Sequence, residues 1–178
     1  MQLVILDRDG VINEDSEDFI KSPEEWHAIP GSPEAIARLT HANYRVVVTT
    51  NQSGMGRGFF DIGDFNRINE KMYREIANAG GLIEGIFYCP HRPEDKCNCR
   101  KPEPGMLIEI CRRLHCDLEG VPAIGDSLRD IKAAQTVGAR PILVRTGKGR
   151  KTESNSKDLD DIEVYDDLAS AVDELLSV

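Results

Sequence analysis

The stretch Leu3-Val4-Ile5-Leu6-Asp7-Arg8-Asp9-Gly10-Val11-Ile12-Asn13 decides how the rest of this chain is read. Its run of apolar residues is too short for a helix and predicts a strand buried on both faces of a parallel sheet. Asp7 and Asp9 stand where that strand ends, and Gly10 lets the chain turn. Ligands of open α/β sheets sit at the carboxyl ends of the strands, so acids placed there are placed for chemistry. By itself D-x-D-G also describes a strand running into an acidic turn. What else the chain brings to the same edge decides between the two.

Outward from that strand, strand-like and helix-like segments alternate. Residues 14–30 carry too little apolar periodicity to assign. Ser32-Pro33-Glu34 opens a helix to about Ala42, with Pro33 at an early position where a missing N–H is harmless. Residues 45–50 form a β-branched second strand, followed by Asn51-Gln52-Ser53 and a glycine-bearing loop over 54–58. A helix over 62–79 ends at Gly80-Gly81. Strands are predicted at 85–88, 121–124 and 141–144, and helices at 104–114 and from Ser127 to Val137. The polar run 148–160 reads as a loop or mobile segment, and 165–176 as a final amphipathic helix. The expected fold is α/β: one domain over residues 1–178, a Rossmann-like parallel sheet with helices on both faces and right-handed crossovers.

Bulk properties narrow the function. A chain of 178 residues suits one domain with a full core. Its formal net charge of -9 argues against a nucleic-acid or membrane-surface partner, both of which need a basic patch. No apolar run has the length of a bilayer span, and the first residues lack the basic and apolar regions of a signal peptide. A cytoplasmic protein, most simply a monomer, is the expectation. In that compartment the five cysteines are metal ligands or core residues rather than disulfides.

Further strand ends carry polar residues: Thr50-Asn51, then Arg100-Lys101 beyond the third strand's loop, then Asp126 with Asp130. Aspartates from two strand ends make a hard-oxygen site suited to Mg²⁺, and a hydroxyl, an ammonium and a guanidinium supply donors for phosphate oxygens. Taken singly, Thr50 reflects β-propensity and Asp126-Ser127 a helix cap. Their convergence on one edge is what carries the functional reading.

With these residues assembled, the chain resembles the haloacid dehalogenase superfamily of phosphohydrolases. The resemblance rests on Asp7-Arg8-Asp9-Gly10, Thr50-Asn51-Gln52, Arg100-Lys101-Pro102 and Gly125-Asp126-Ser127-Leu128-Arg129-Asp130. It implies that Asp7 is the nucleophile that takes up phosphorus, and that Asp9 protonates the leaving alcohol and later deprotonates water. It implies that Thr50 and Lys101 hold the phosphoryl oxygens, and that Asp7, the Asp9 carbonyl and Asp126 bind Mg²⁺. On this reading Asp7 is ionised against the cation, while nearby carboxylates and burial push the Asp9 pKa upward so that it starts protonated.

Cys89-Pro90-His91 and Cys97-Asn98-Cys99 supply three thiolates and one imidazole, a tetrahedral set for a closed structural Zn²⁺ site. The alternative is packing cysteines beside a surface histidine, but this Pro- and charge-rich loop cannot pack a core. Such a zinc loop over 89–99 holds Arg100-Lys101 at the active centre. Cys111 and Cys116 read as core or surface residues. Short members with this loop are the D-glycero-D-manno-heptose 1,7-bisphosphate 7-phosphatases and the related histidinol-phosphate phosphatases, and the chain resembles both. The first implies a phosphorylated sugar substrate in lipopolysaccharide precursor synthesis, the second a step of histidine synthesis.

No insertion is long enough for a separate cap domain, so short loops shape the substrate site. The resemblance assigns Asp15 and Asp18, the loop Asn51, Gln52 and Ser53, and Arg100 to substrate, with Arg57 sharing the second phosphate. Asp15-Ser16-Glu17-Asp18 is acidic for a neighbour of an anionic sugar, so its side chains are expected to face hydroxyl groups or solvent. Two other classes compete. A phospho-accepting signalling domain shares the sheet and acidic site but has no need of Asp9. A zinc-containing nucleic-acid module accounts for the cysteine loop and conflicts with the acidic balance.

Overall fold

The computed structural model describes residues 2–156 and 159–177. Its sheet is formed by β1 (Gln2–Asp7), β2 (Tyr44–Asn51), β3 (Gly85–Cys89), β4 (Pro122–Gly125), β5 (Arg140–Val144) and β6 (Glu163–Tyr165). The order is β3-β2-β1-β4-β5-β6 and every pairing is parallel. Strand β1 therefore lies at the centre, and the order reverses beside it, between β2 and β4. That reversal opens the crevice at which such sheets bind ligands.

The helices are α1 (Ser32–His41), α2 (Ser53–Gly56), α3 (Ile62–Asn78), α4 (Gly105–Leu114), α5 (Leu128–Thr136), α6 (Gly149–Asn155) and α7 (Leu168–Leu176). Alternation along β1 divides them between two layers. Val4 and Leu6 pack with Ile36 and Leu39 of α1, Ile68 and Met72 of α3, and Val172 of α7. Leu3 and Ile5 face the other way, onto Leu107 and Ile110 of α4 and Ala133 and Ala134 of α5. A strand covered on both faces needs an unbroken apolar run, which is what residues 3–6 provide. Truncating a fully buried core residue such as Leu6 to Ala costs about 2–5 kcal/mol.

Two expectations change. Within 148–160, residues 149–155 are helix α6 rather than loop; residues 157 and 158 lie outside the described ones. The final helix begins at Leu168, not 165, because Glu163–Tyr165 is spent on the edge strand β6. A single turn, α2, also forms inside the glycine-bearing loop. No cap domain stands over the sheet among the described residues; the loops of its C-terminal edge close the site themselves. No described helix is long and apolar enough to cross a membrane.

Candidate active site

The end of β1 delivers Asp7 to the centre of the crevice, the end of β4 delivers Asp126, and the first turn of α5 delivers Asp130. Each offers a carboxylate oxygen, and these oxygens lie within 4.8 Å of one another. Three hard-oxygen donors at this spacing suit Mg²⁺, which takes one or two carboxylates and completes its shell with water and phosphate. Without a cation, burial pushes the Asp7 carboxyl well above the usual carboxylate range, and the Asp130 charge adds to it. Asp126 is pushed up to about 7 by burial first and by Asp130 second. Acids held at such cost are acids arranged around a counter-charge.

Lys101 supplies part of that counter-charge. It is 4 % exposed, and its ammonium donates to Asp7 Oδ1 at 2.9 Å and to the Thr49 carbonyl at 3.0 Å, and pairs with Asp130 Oδ1 at 2.6 Å. Burial would lower its pKa, but Asp130 and Asp7 raise it above the usual lysine range, so the cation is permanent. Asp130 takes the Ser127 N–H and hydroxyl on its other oxygen, at 3.0 and 2.5 Å. With both oxygens engaged, its first task is to hold Lys101. The sequence reading names Asp7, Asp9 and Asp126 for the cation; the structure brings Asp130 beside them.

The surroundings of Asp9 correct an expectation. The groups in hydrogen-bond contact with it are all donors. Arg8 Nη2 donates to its two oxygens at 3.0 and 3.2 Å, Asn13 Nδ2 at 2.9 Å and Gln52 Nε2 at 2.8 Å. Burial alone would raise the Asp9 carboxyl, but the Arg8 guanidinium and these amides together hold it below the usual range. In the unliganded site Asp9 is ionised, and the proton expected on it is not pre-set. Arg8, the residue between the two acids, is 1 % exposed and serves as this internal counter-ion. Nothing in its sequence position distinguishes it from a solvated arginine.

A cavity of about 370 Å³ opens over these groups, lined in part by Asp15, Ser16, Phe19, Thr50, Asn51, Gln52, Ser53, Arg100, Arg129 and Lys148. Thr50 Oγ1 reaches Asp9 Oδ2 at 3.4 Å and accepts from Gln52 at 2.8 Å. Asn51 does more than line the cavity: its amide group donates to the Lys101 carbonyl and accepts from the Lys101 N–H, both at 3.0 Å. Asp15 lines the cavity and forms an ion pair with Lys148 at 2.7 Å, which offsets the acidity of its loop. Asp18 and Arg57 lie outside the cavity lining. The Asp18 carbonyl accepts from Lys21, and Arg57 approaches Glu94 at 3.8 Å. Arg129 and Lys148 emerge as cavity residues only from the fold, since helix α5 and the turn after β5 carry them there.

The cysteine loop continues directly from β3. Cys89 Sγ lies 3.6 Å from Cys97 Sγ, 3.3 Å from Cys99 Sγ and 3.6 Å from His91 Nδ1; His91 Nδ1 lies 3.3 Å from Cys99 Sγ. A tetrahedron with Zn–S bonds of about 2.3 Å has S···S edges of about 3.8 Å, so the four donors are spaced as the edges of a zinc site. Burial pushes the Cys89 thiol up, well above the usual thiol range, when no metal is bound. Cys99, Arg100 and Lys101 are consecutive, so the cluster ends one residue from the cavity.

Residues 98–171 match the family model described as HAD-hydrolase-like. The D-glycero-beta-D-manno-heptose-1,7-bisphosphate 7-phosphatase of Bordetella bronchiseptica is 54% identical over 176 residues, covering 99% of this chain and 98% of that protein. The enzyme of the same name from Pseudomonas putida is 47% identical over 176 residues, covering 99% of this chain and all of the other. Among solved structures, the D,D-heptose 1,7-bisphosphate phosphatase from B. bronchiseptica, complexed with magnesium and phosphate, superposes with a TM-score of 0.97 over 99% of both chains at 54% identity. The corresponding phosphatase from Burkholderia thailandensis gives a TM-score of 0.81 over the whole of both chains at 45% identity.

Proposed function

The chain belongs to the D-glycero-beta-D-manno-heptose-1,7-bisphosphate 7-phosphatase family of HAD-like hydrolases, and we propose that its own site residues divide the hydrolysis as follows. The substrate is a heptose 1,7-bisphosphate, and the 7-phosphate is removed in two steps at Asp7. In the first, an Asp7 oxygen attacks phosphorus, the P–O bond to C7 breaks, and Asp9 gives its proton to the departing sugar oxygen. In the second, Asp9 takes a proton from water, the hydroxide attacks phosphorus, and the bond to Asp7 breaks, leaving inorganic phosphate and the free carboxylate.

Mg²⁺ at the carboxylate cluster neutralises charge that would otherwise keep an anionic nucleophile from an anionic ester. Lys101 and Thr50 hold the equatorial oxygens, whose negative charge persists in the transition state. Asp7 Oδ1 already accepts from Lys101 and from the Arg8 N–H at 2.8 Å, which leaves Oδ2 for attack. A phosphomonoester dianion beside Asp9 adds like charge that raises its pKa, so Asp9 takes up a proton from solvent as the substrate binds.

The observation that carries the substrate reading is the pairing of this centre with Arg100 and Arg129 in one cavity. Burial lowers the Arg100 pKa, and the Arg129 charge lowers it further, so the two guanidiniums share a field that an anion relieves. A second phosphate is such an anion, and the guanidinium fork matches it. The test compares kcat/KM for the 1,7-bisphosphate, the 7-monophosphate of the same sugar and histidinol phosphate, in wild type and in Arg100→Ala with Arg129→Ala. The paired truncation is expected to lower kcat/KM for the bisphosphate about 10–150-fold, the worth of one charged hydrogen bond or more, and to spare the monophosphate. Faster turnover of histidinol phosphate, or equal losses on both sugars, overturns the reading.

A further inference from the structure

The turn after β5 is spent on Asp126. Lys148 donates its backbone N–H to Asp126 Oδ2 at 2.8 Å. Thr146 Oγ1 donates to the Gly10 carbonyl at 2.6 Å, and Thr152 Oγ1, from α6, donates to the Asp126 carbonyl at 2.9 Å. Gly147 (φ 55) and Gly10 (φ 86) are both left-handed. A Cβ on Gly147 would lie 2.2 Å from Asp126 Oδ2 and 2.5 Å from Gly10 Cα; one on Gly10 would lie 2.1 Å from the same Oδ2. The carboxylate is thus clasped between two glycines, and only glycine meets both the backbone angle and the space.

We propose that Thr146-Gly147-Lys148 is a positioning strap that sets the Asp126 carboxylate for the cation and ties it to the Asp7-Arg8-Asp9-Gly10 turn. With Oδ2 held by a main-chain N–H, Oδ1 has no protein hydrogen bond among the described residues and faces its ligand in a fixed orientation. Main-chain donors do this without adding charge, so the strap orients Asp126 while leaving its anionic character to the metal. Outer contacts of this kind are worth about 10–100-fold in metal affinity. The backbone and the side chain of Lys148 then have separate tasks: the N–H orients Asp126, and the ammonium pairs with Asp15 at the mouth.

The inference rests on Asp126 being a cation ligand, and the experiment separates the two claims. Mg²⁺ dissociation constants are measured by titration calorimetry on zinc-replete protein, with near-ultraviolet circular dichroism and zinc content recorded for each variant. Lys148→Pro, which removes the N–H at a φ of -88° near proline's range, and Gly147→Ala are expected to weaken Mg²⁺ binding about 10–100-fold. Lys148→Ala keeps the N–H and is expected to stay within about threefold of wild type, since a partly exposed charge is worth little. Should the strap variants fail to fold, Thr146→Val decides, with an expected loss of about threefold or more from one hydrogen bond. Folded strap variants that bind Mg²⁺ like wild type, while Asp126→Asn does not, overturn the strap alone. Undiminished binding by Asp126→Asn overturns the ligand assignment beneath it.

Discussion

Two donor clusters stand close together in this protein and are made in opposite ways. The sulfur and imidazole donors come from the eleven positions from Cys89 to Cys99, within one loop, with Cys89 buried, Cys97 and Cys99 half-buried and His91 exposed. The carboxylates come from positions 7, 126 and 130, and meet only because β1 and β4 are neighbours in a sheet. The first set offers four donors, enough to fill a tetrahedral site; the second lies beneath a cavity. A locally folded cluster can hold a globally assembled one, and the seam is short: Cys99 closes one set and Lys101 serves the other. Asn51 completes it by gripping the Lys101 main chain from β2.

The sharpest way to break that contrast is to strike the assembled cluster alone. Asp7→Asn is expected to lower turnover at saturating Mg²⁺ by at least about 10³-fold, the loss seen when a covalent nucleophile is removed, with full zinc content and an unchanged melting curve. Near-normal turnover would mean that phosphorus is never bound to Asp7. Striking the local cluster should do less at the chemistry. Cys97→Ser with Cys99→Ser is expected to abolish zinc retention, measured by mass spectrometry, and to lower kcat/KM about 10–100-fold by loosening Arg100 and Lys101. A folded, zinc-free variant with full activity removes the bracing role.

Cutting the seam comes next. Asn51→Ala removes two hydrogen bonds worth about 1 kcal/mol each and should reduce kcat about tenfold while zinc stays bound. Proportionate loss of zinc would show that the two regions fold as one unit. The smallest effect is on pH. Asp126 titrates near 7 without metal and binds the cation deprotonated, so Mg²⁺ affinity falls as pH falls. Between pH 7.5 and 6.5 the decrease should be about threefold, read by calorimetry against a constant zinc content. The sign follows from the raised pKa: the metal-free fold gains stability as pH falls below 7, and the Mg²⁺-induced rise in Tm shrinks over the same range.

The same contrast explains what the sequence disclosed. Residues 3–6 announce a central strand because burial on both faces demands an uninterrupted apolar run, and the cysteine loop announces itself because its donors are adjacent. Helix α6 was hidden because Gly-Arg-Lys-Thr-Glu-Ser-Asn has no apolar face; Arg145 holds it through two hydrogen bonds to Glu153, at 2.8 and 2.7 Å. Strand β6 is three half-buried residues joined to β5 by the Arg140–Glu163 pair, which no periodicity records. The Asp9 environment ran against expectation because Arg8, its chain neighbour, turns inward beside Asn13 and Gln52, and the direction a side chain takes is not written in its position.

Arg8 carries one more consequence, and it concerns ionic strength. The Arg8–Asp9 pair is 1 % and 20 % exposed and the Lys148–Asp15 pair at the mouth 48 % and 19 %, so the two differ in the burial of the cation. Mobile ions screen exposed charges over about 8 Å at physiological salt and reach buried pairs far less. Rising salt therefore loosens the entrance and weakens capture of an anionic sugar, while the buried Arg8 guanidinium keeps its field at Asp9. Dissolved ions act on how often a substrate enters this protein and leave almost untouched what happens to it inside.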